Sequence, residues 1–245
     1  MNVNNVFVNY IKYGEGSDTI VLLHGWGQNI AMMKGIGDRL QKYFQIVIID
    51  LPGYGESDEP KYAWTINDYV DCIHTLLAKL DVQNPILIGH SFGGKISLLY
   101  ASIYKVKKLV CLASPFRKDK ESKYLKFKLK ILKVAKRIPL LNKLEGFAKK
   151  HIGSTDYKQA SEMMRKVMVQ TVNLDITENI KKITCPTLII WGTLDQAVPY
   201  NDALELEKLI KGSGLVTYEG CTHYAYLERF EQTIRVLYSF LEVNK

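Results

Sequence analysis

The chain has 245 residues, 47% hydrophobic and 24% charged, with 33 Lys and Arg against 25 Asp and Glu for a formal charge of +8. That length fits one large domain with room for an inserted subdomain. The composition is that of an ordinary globular protein, which sets aside disordered, collagenous and coiled-coil chains. The basic excess is uneven. Residues 115–182 hold 18 Lys and Arg against 7 Asp and Glu, and the remainder holds 15 against 18. A general polyanion-binding protein fits this distribution poorly, whereas an inserted element with its own surface character fits it well.

Met1 to Asn5 is polar, without the basic region and apolar run of a signal peptide, and no apolar stretch approaches the ~18 residues of a membrane span. Val6 to Tyr13 alternates and is β-branched, as in an edge strand. Thr19 to Leu23 (TIVLL) and Gln45 to Asp50 (QIVIID) are continuous apolar runs of the kind buried on both faces of a parallel sheet. Thr65 to Leu80 reads as a helix opened by a capping box, Thr65-x-x-Asp68. Pro85 to Gly89 is the next strand, Ser91 to Tyr104 a helix, and Val106 to Ala113 another strand. About 65 residues of strand-free, helical sequence then intervene before Ile183 to Trp191, with the run Pro186 to Trp191, resumes the sheet. Asn201 to Lys211 (helix), Leu215 to Tyr218 (strand) and Tyr224 to Val243 (helix) complete the chain. Strand–helix alternation with short connections implies an α/β fold with a mostly parallel sheet. The reading divides the chain into a core, 1–114 and 183–245, and a helical insertion, 115–182, which leaves one strand's carboxyl end and is a candidate lid over the sheet edge.

Cys72, Cys111, Cys185 and Cys221 are far apart, with no C-x-x-C pair and no metal-ligand spacing. Cys111 and Cys185 sit in apolar runs, as small core hydrophobes do. A reduced, cytoplasmic protein is the expectation.

The sharpest local signal is Gly89-His90-Ser91-Phe92-Gly93, a G-x-S-x-G between a strand and a helix. So tight a turn needs small neighbours and lifts the Ser91 hydroxyl over the sheet. A serine hydroxyl needs a base, normally His held by a carboxylate. His74 lies inside a helix and His151 inside the insertion. His90 adjoins Ser91, with its side chain expected to point away around the turn. His24 ends an apolar strand, where a buried structural imidazole is expected. His223, in the polar loop Glu219-Gly220-Cys221-Thr222-His223, is the remaining base. Asp195, just beyond a buried strand, is the orienting acid, with helix capping as its bland alternative. Asp202 is less well placed. Phe92 and Trp26, the latter within His24-Gly25-Trp26-Gly27, are expected to supply the backbone N–H donors of an oxyanion hole. The indole of Trp26 is read as part of the substrate pocket. This chemistry needs no metal or organic cofactor.

On these motifs, with Asp50 to Ser57 (DLPGYGES) and Trp191 to Asp195 (WGTLD), the chain resembles the lid-bearing α/β-hydrolases. It is similar to small carboxylesterases and to their biotin-pathway and menaquinone-pathway relatives. The resemblance implies an eight-stranded sheet, the triad Ser91, Asp195 and His223, and a structural turn at Asp50 to Ser57. A Ser at the nucleophile position is unlike the Asp of haloalkane dehalogenases and epoxide hydrolases. The basic insertion is unlike the acidic lid of prolyl aminopeptidases. Menaquinone-pathway lyases typically carry Arg four residues after the nucleophile, where this chain has Lys95; Lys lacks the carboxylate-clamping fork. The bland reading of Lys95 is a solvated or helix-capping side chain. A serine hydrolase acting on a small-molecule carboxylic ester or thioester is the leading reading. Alternatives are a cofactor-free C–C hydrolase or lyase on the same triad, or a small-ligand sensor with little turnover.

Residues 123–138 (KYLKFKLKILKVAKRI) place Tyr124, Phe127, Ile131, Val134 and Ile138 on one helical face and Lys126, Lys130, Lys133 and Arg137 on the other. Phe127 and Ile131 are thereby candidate substrate-binding residues of a lid helix. Its lysines are either a solvated face, a dock for an acidic carrier protein or anionic surface, or a guide for anionic substrates. No nucleic-acid motif accompanies the charge.

Overall fold

The computed structural model describes residues 1–118 and 160–243. The first strands, β1 (Asn2–Val3) and β2 (Val6–Phe7), form a separate antiparallel hairpin. It turns at Asn4 and Asn5, both at positive φ, a conformation Asn tolerates better than most residues. The edge strand expected over Val6 to Tyr13 is therefore split. The Val8 N–H returns to the Met1 carbonyl and the Asn9 N–H goes to Ser57 Oγ, so residues 8 and 9 carry the chain out of the hairpin. β3 (Tyr10–Tyr13) then joins the main sheet.

There follow β4 (Thr19–Leu23), α1 (Ile30–Leu40), β5 (Gln45–Ile49), α2 (Ile66–Lys79), β6 (Ile86–His90), α3 (Phe92–Ile103) and β7 (Lys108–Leu112). Past residues 119–159 come α4 (Glu162–Asn173), α5 (Thr177–Ile180), β8 (Thr187–Gly192), α6 (Tyr200–Leu209), β9 (Gly214–Tyr218), α7 (Ala225–Glu228) and α8 (Phe230–Leu241). The helix expected over Tyr224 to Val243 is thus two. Among the described residues the main sheet has seven strands, ordered β3-β5-β4-β6-β7-β8-β9, where the resemblance implies eight. Only β3 is antiparallel, paired to β5.

Period-two alternation divides the strand side chains between two cores. Val21, Leu23, Val47, Ile49, Leu87, Cys111, Ile189 and Trp191 face the side covered by α2, α3 and α6. Ile20, Leu22, Ile46, Ile48, Ile88, Val110 and Ile190 face the side covered by α1 and α8. Helices on both faces explain why the parallel strands read as unbroken apolar runs. The capping box of α2 is formed: Asp68 Oδ2 accepts from the Thr65 N–H at 2.7 Å, and Thr65 Oγ1 accepts from the Asp68 N–H at 3.4 Å.

From β4 the chain steps outward to β5, then returns to place β6 on the other flank of β4. This reversal opens a crevice at the carboxyl ends of β4 and β6, where ligand sites of open α/β sheets form. The loops after β8 and β9 reach the same edge, since all four strands are parallel.

Candidate active site

Ser91 lies between the last residue of β6 and the first of α3, at φ 50° and ψ −111°. A non-glycine residue at such a φ is strained and is held there by its surroundings. The Ser91 N–H donates to the Leu112 carbonyl at 2.9 Å and the Gly93 N–H to the His24 carbonyl at 3.1 Å, which pins the turn to β7 and to the end of β4.

Asp195 follows β8 in a loop held by the Thr193 N–H on the Tyr218 carbonyl and the Leu194 N–H on the Cys221 carbonyl. Its Oδ1 accepts the Ala197 and Val198 N–H groups, both at 2.8 Å, and its Oδ2 lies 2.8 Å from His223 Nδ1. The carboxylate accepts, so Nδ1 of a neutral His223 carries the ring proton and Nε2 keeps its lone pair. Both amides precede Pro199, the N-cap of α6, which receives no side-chain cap bond, so Asp195 fixes its own loop and does not cap that helix. Asp202 instead sits within α6 and pairs with Arg117, which also reaches Glu205.

The other described histidines each take a different place. His24 is fully buried: Nδ1–H donates to the Gly25 carbonyl at 2.7 Å and Nε2 accepts from the Leu51 N–H at 3.0 Å. Both ring nitrogens are thus spent on holding two loops. His74 stacks on Tyr104 within the α2–α3 layer. His90 points away from the turn, toward the His223 loop. Asp50 is structural, accepting from the Ile30 N–H, the Glu56 N–H and Asn9 Nδ2. The indole of half-buried Trp26 meets the rings of Tyr54 and Phe92 edge to face, with centroids 5.2 and 5.3 Å away. Among the described residues no acceptor takes the N–H of Trp26 or Phe92. His151, Phe127, Ile131 and the cationic stretch 123–138 lie outside the described residues.

Of the two bland readings of Lys95, the solvated one fails and the helix-capping one holds. It is 2% exposed, not solvated, and it caps a helix other than its own. Its Nζ donates to the Thr171 carbonyl at 2.8 Å and the Leu174 carbonyl at 2.6 Å, at the end of α4. Cations are favoured there because a helix's last carbonyls are unpaired. Sequence gives no sign of this, because α4 lies some 75 residues downstream.

An α/β-hydrolase-fold model matches residues 18–134 and a TAP-like model matches residues 155–242. The chain has the α/β-hydrolase fold and is esterase-like. A pimeloyl-[acyl-carrier protein] methyl ester esterase of Aliivibrio fischeri is 26% identical over 93% of this chain and 95% of that protein. AB hydrolase superfamily protein YisY of Bacillus subtilis is 28% identical over 96% and 94%. An esterase from Exiguobacterium antarcticum superposes with a TM-score of 0.73 at 25% identity, covering 97% of this chain and 95% of that one. The enol-lactonase of Burkholderia xenovorans shares the fold, with a TM-score of 0.78 at 21% identity and 98% coverage of both chains.

Burial gives the protein an acid-sensitive core. It lowers the pKa of His24 and takes that of His90 down to about 3, from an ordinary 6.5. Both rings are therefore neutral in the native state, and the unfolded chain binds protons that the native one refuses. The stability this confers is complete above pH 6.5 and is lost as pH falls from there toward 3. For His90 alone, acidification to about pH 4.5 costs roughly 2–3 kcal/mol. Urea midpoints should fall between about pH 7 and 4.5, and fall less steeply in His90→Phe. Equal pH slopes for the two proteins contradict this assignment.

Proposed function

We propose that the chain is a serine hydrolase that cleaves a carboxylic ester or thioester through an acyl-enzyme on Ser91. His223 Nε2 takes the Ser91 proton as Oγ attacks the acyl carbon, and Asp195 holds the imidazolium that results. The Trp26 and Phe92 amides receive the oxyanion. His223 then returns its proton to the leaving alkoxide or thiolate. A water, deprotonated by the same nitrogen, attacks the acyl carbon and releases the acid and Ser91. The observation that carries this reading is the Asp195–His223 contact at 2.8 Å, with the second carboxylate oxygen fixed by two amides. It lies on the sheet edge that also presents a strained serine. The esterases among the relatives support an ester as the bond cleaved.

Residues 115–182 act in this reading as a lid. Their charge favours substrates with an acidic handle, carrier-bound acyl groups included, as the substrate named for the pimeloyl-[acyl-carrier protein] relative suggests. Lyase chemistry has less support: Lys95, at the position of the lyases' carboxylate-clamping Arg, spends its ammonium on two backbone carbonyls.

A panel of p-nitrophenyl acyl esters tests the function. Wild type should turn over short or medium acyl chains, and Ser91→Ala should lose at least ~10⁴-fold in kcat. Retention of activity in Ser91→Ala refutes the nucleophile, and a wild type inert to every ester revives the sensor reading.

A further inference from the structure

The three loops that bring the proposed nucleophile, oxyanion donors and base together come from strands far apart in sequence, and two side chains tie them. His90, the last residue of β6, is 1% exposed, and its Nε2 lies 3.1 Å from the backbone carbonyl of His223. A carbonyl only accepts, so the proton of the neutral His90 ring sits on Nε2 and is donated there. Gln28 lies on the other side of the same ring. Its Oε1 accepts the Gly25 N–H at 2.9 Å, which fixes the amide's orientation. Its Nε2 then faces the hydroxyl of Tyr224, next to His223, at 3.3 Å. The bare Nδ1 of His90 rests against Gln28 Oε1 at 3.3 Å, in contact but without a proton between them. A Cβ on Gly25 would come within 2.8 Å of His90 Nδ1 and 3.1 Å of Gln28 Oε1, so the pair fills the space beside the oxyanion loop completely. The His90 ring is further wedged by Tyr224 and Tyr226, with centroids 5.3 and 4.9 Å away.

We propose that His90 and Gln28 are positioning residues, a brace that sets the height of the His223 loop relative to Ser91 and to the Gly25–Trp26 donors. This rests on the reading of Ser91 and His223 as nucleophile and base. His90 is anchored by main-chain pairing to β7 on a rigid strand, whereas His223 sits in a loop with no strand neighbour of its own. The Leu194 N–H on the Cys221 carbonyl and the Thr222 N–H on Glu228 hold the base loop beside His223, and His90 sets its separation from β6 at His223 itself. Displacements well under 1 Å are enough to slow a proton transfer between fixed groups. His90 meets the base ring against ring, with centroids 4.8 Å apart, and neither brace residue is placed on the acyl group, so loss of the brace lowers kcat and leaves KM alone.

The test compares the second-order rate of fluorophosphonate labelling, kcat and KM for p-nitrophenyl acetate, and thermal midpoint in wild type, His90→Phe, His90→Gln, Gln28→Met and the double variant. His90→Phe keeps the ring and removes the donor. Labelling and kcat should fall roughly tenfold or more while KM stays within about twofold. His90→Gln, with an amide N–H to offer, should recover part of the loss. Gln28→Met, at a half-buried position that tolerates change, should lose about threefold or more in kcat, and the double variant should be little worse than His90→Phe because both cut one brace. If His90→Phe does not fold, Gln28→Met decides alone. Labelling and kcat equal to wild type in Gln28→Met, or in a folded His90→Phe, overturns the brace. A wild type that takes no label overturns the serine reading and the brace with it, whereas labelling that is equal across all variants overturns the brace alone.

Discussion

Asp195→Asn should lower kcat for ester hydrolysis by roughly 10⁴-fold while the protein stays folded. The size follows from which atoms the side chain faces. Two backbone N–H groups point at Oδ1, and only the amide oxygen of Asn can accept them. The Asn NH₂ is therefore forced toward His223 Nδ1, the nitrogen that Asp195 Oδ2 now contacts at 2.8 Å. Two donors cannot face each other, so the imidazole moves its proton to Nε2. That is the nitrogen that must accept from Ser91, and the base is lost with the shape of the site intact. The expected signature is a large fall in kcat, nearly unchanged KM and a thermal midpoint close to wild type. Less than a tenfold loss of kcat contradicts the assignment of His223 as base held by Asp195.

Gly93→Ala should cost about 3–5 kcal/mol of stability, or prevent folding. A Cβ there would lie 2.4 Å from the Leu23 carbonyl oxygen and 2.6 Å from that of His24. Both are backbone atoms at the end of a central strand, with no rotamer through which to yield. The same methyl would push the first turn of α3 away from the His24–Gly27 loop, separating the two amides assigned to the oxyanion. Gly35→Ala is the control. Its Cβ would meet the Phe230 ring at 3.5 Å, an ordinary contact, and Ala favours the helix by up to ~1 kcal/mol. Urea unfolding of the two variants should separate them in opposite directions. Comparable midpoints would show that the nucleophile turn has slack that this packing excludes.

The legible parts of the molecule were those with local chemistry. Apolar runs gave five of the main-sheet strands because burial on both faces leaves no alternation to interpret, a shorter run gave the half-exposed edge strand β9, and G-x-S-x-G gave the turn because only small residues let the backbone cross itself there. Asp195 and His223 were reached through their position beyond strand ends, although 28 residues separate them. Helix α1 went unread. Gly35 and Gly37 weaken its propensity, and Gly37 is needed because a Cβ would lie 2.5 Å from Tyr13 Oη and 2.9 Å from Ile46. Close packing on the sheet thus erased the signal of the helix that packs. Its Asn29 N-cap, which accepts from the Ala31 N–H, was the remaining clue. Lys95 and His90 were invisible for a different reason: each acts on backbone carbonyls of a distant segment, and a carbonyl leaves no trace in residue identity. The split of Val6–Tyr13 likewise depends on Asn9 meeting Ser57, a contact across nearly fifty residues.

The most direct test of the account is incubation with a fluorophosphonate followed by intact and peptide mass analysis. The account expects one adduct per chain, on the peptide carrying Ser91, absent in Ser91→Ala and formed at a rate reduced at least ~10³-fold in His223→Ala. No adduct on the wild type, or an adduct that persists in Ser91→Ala, would contradict it.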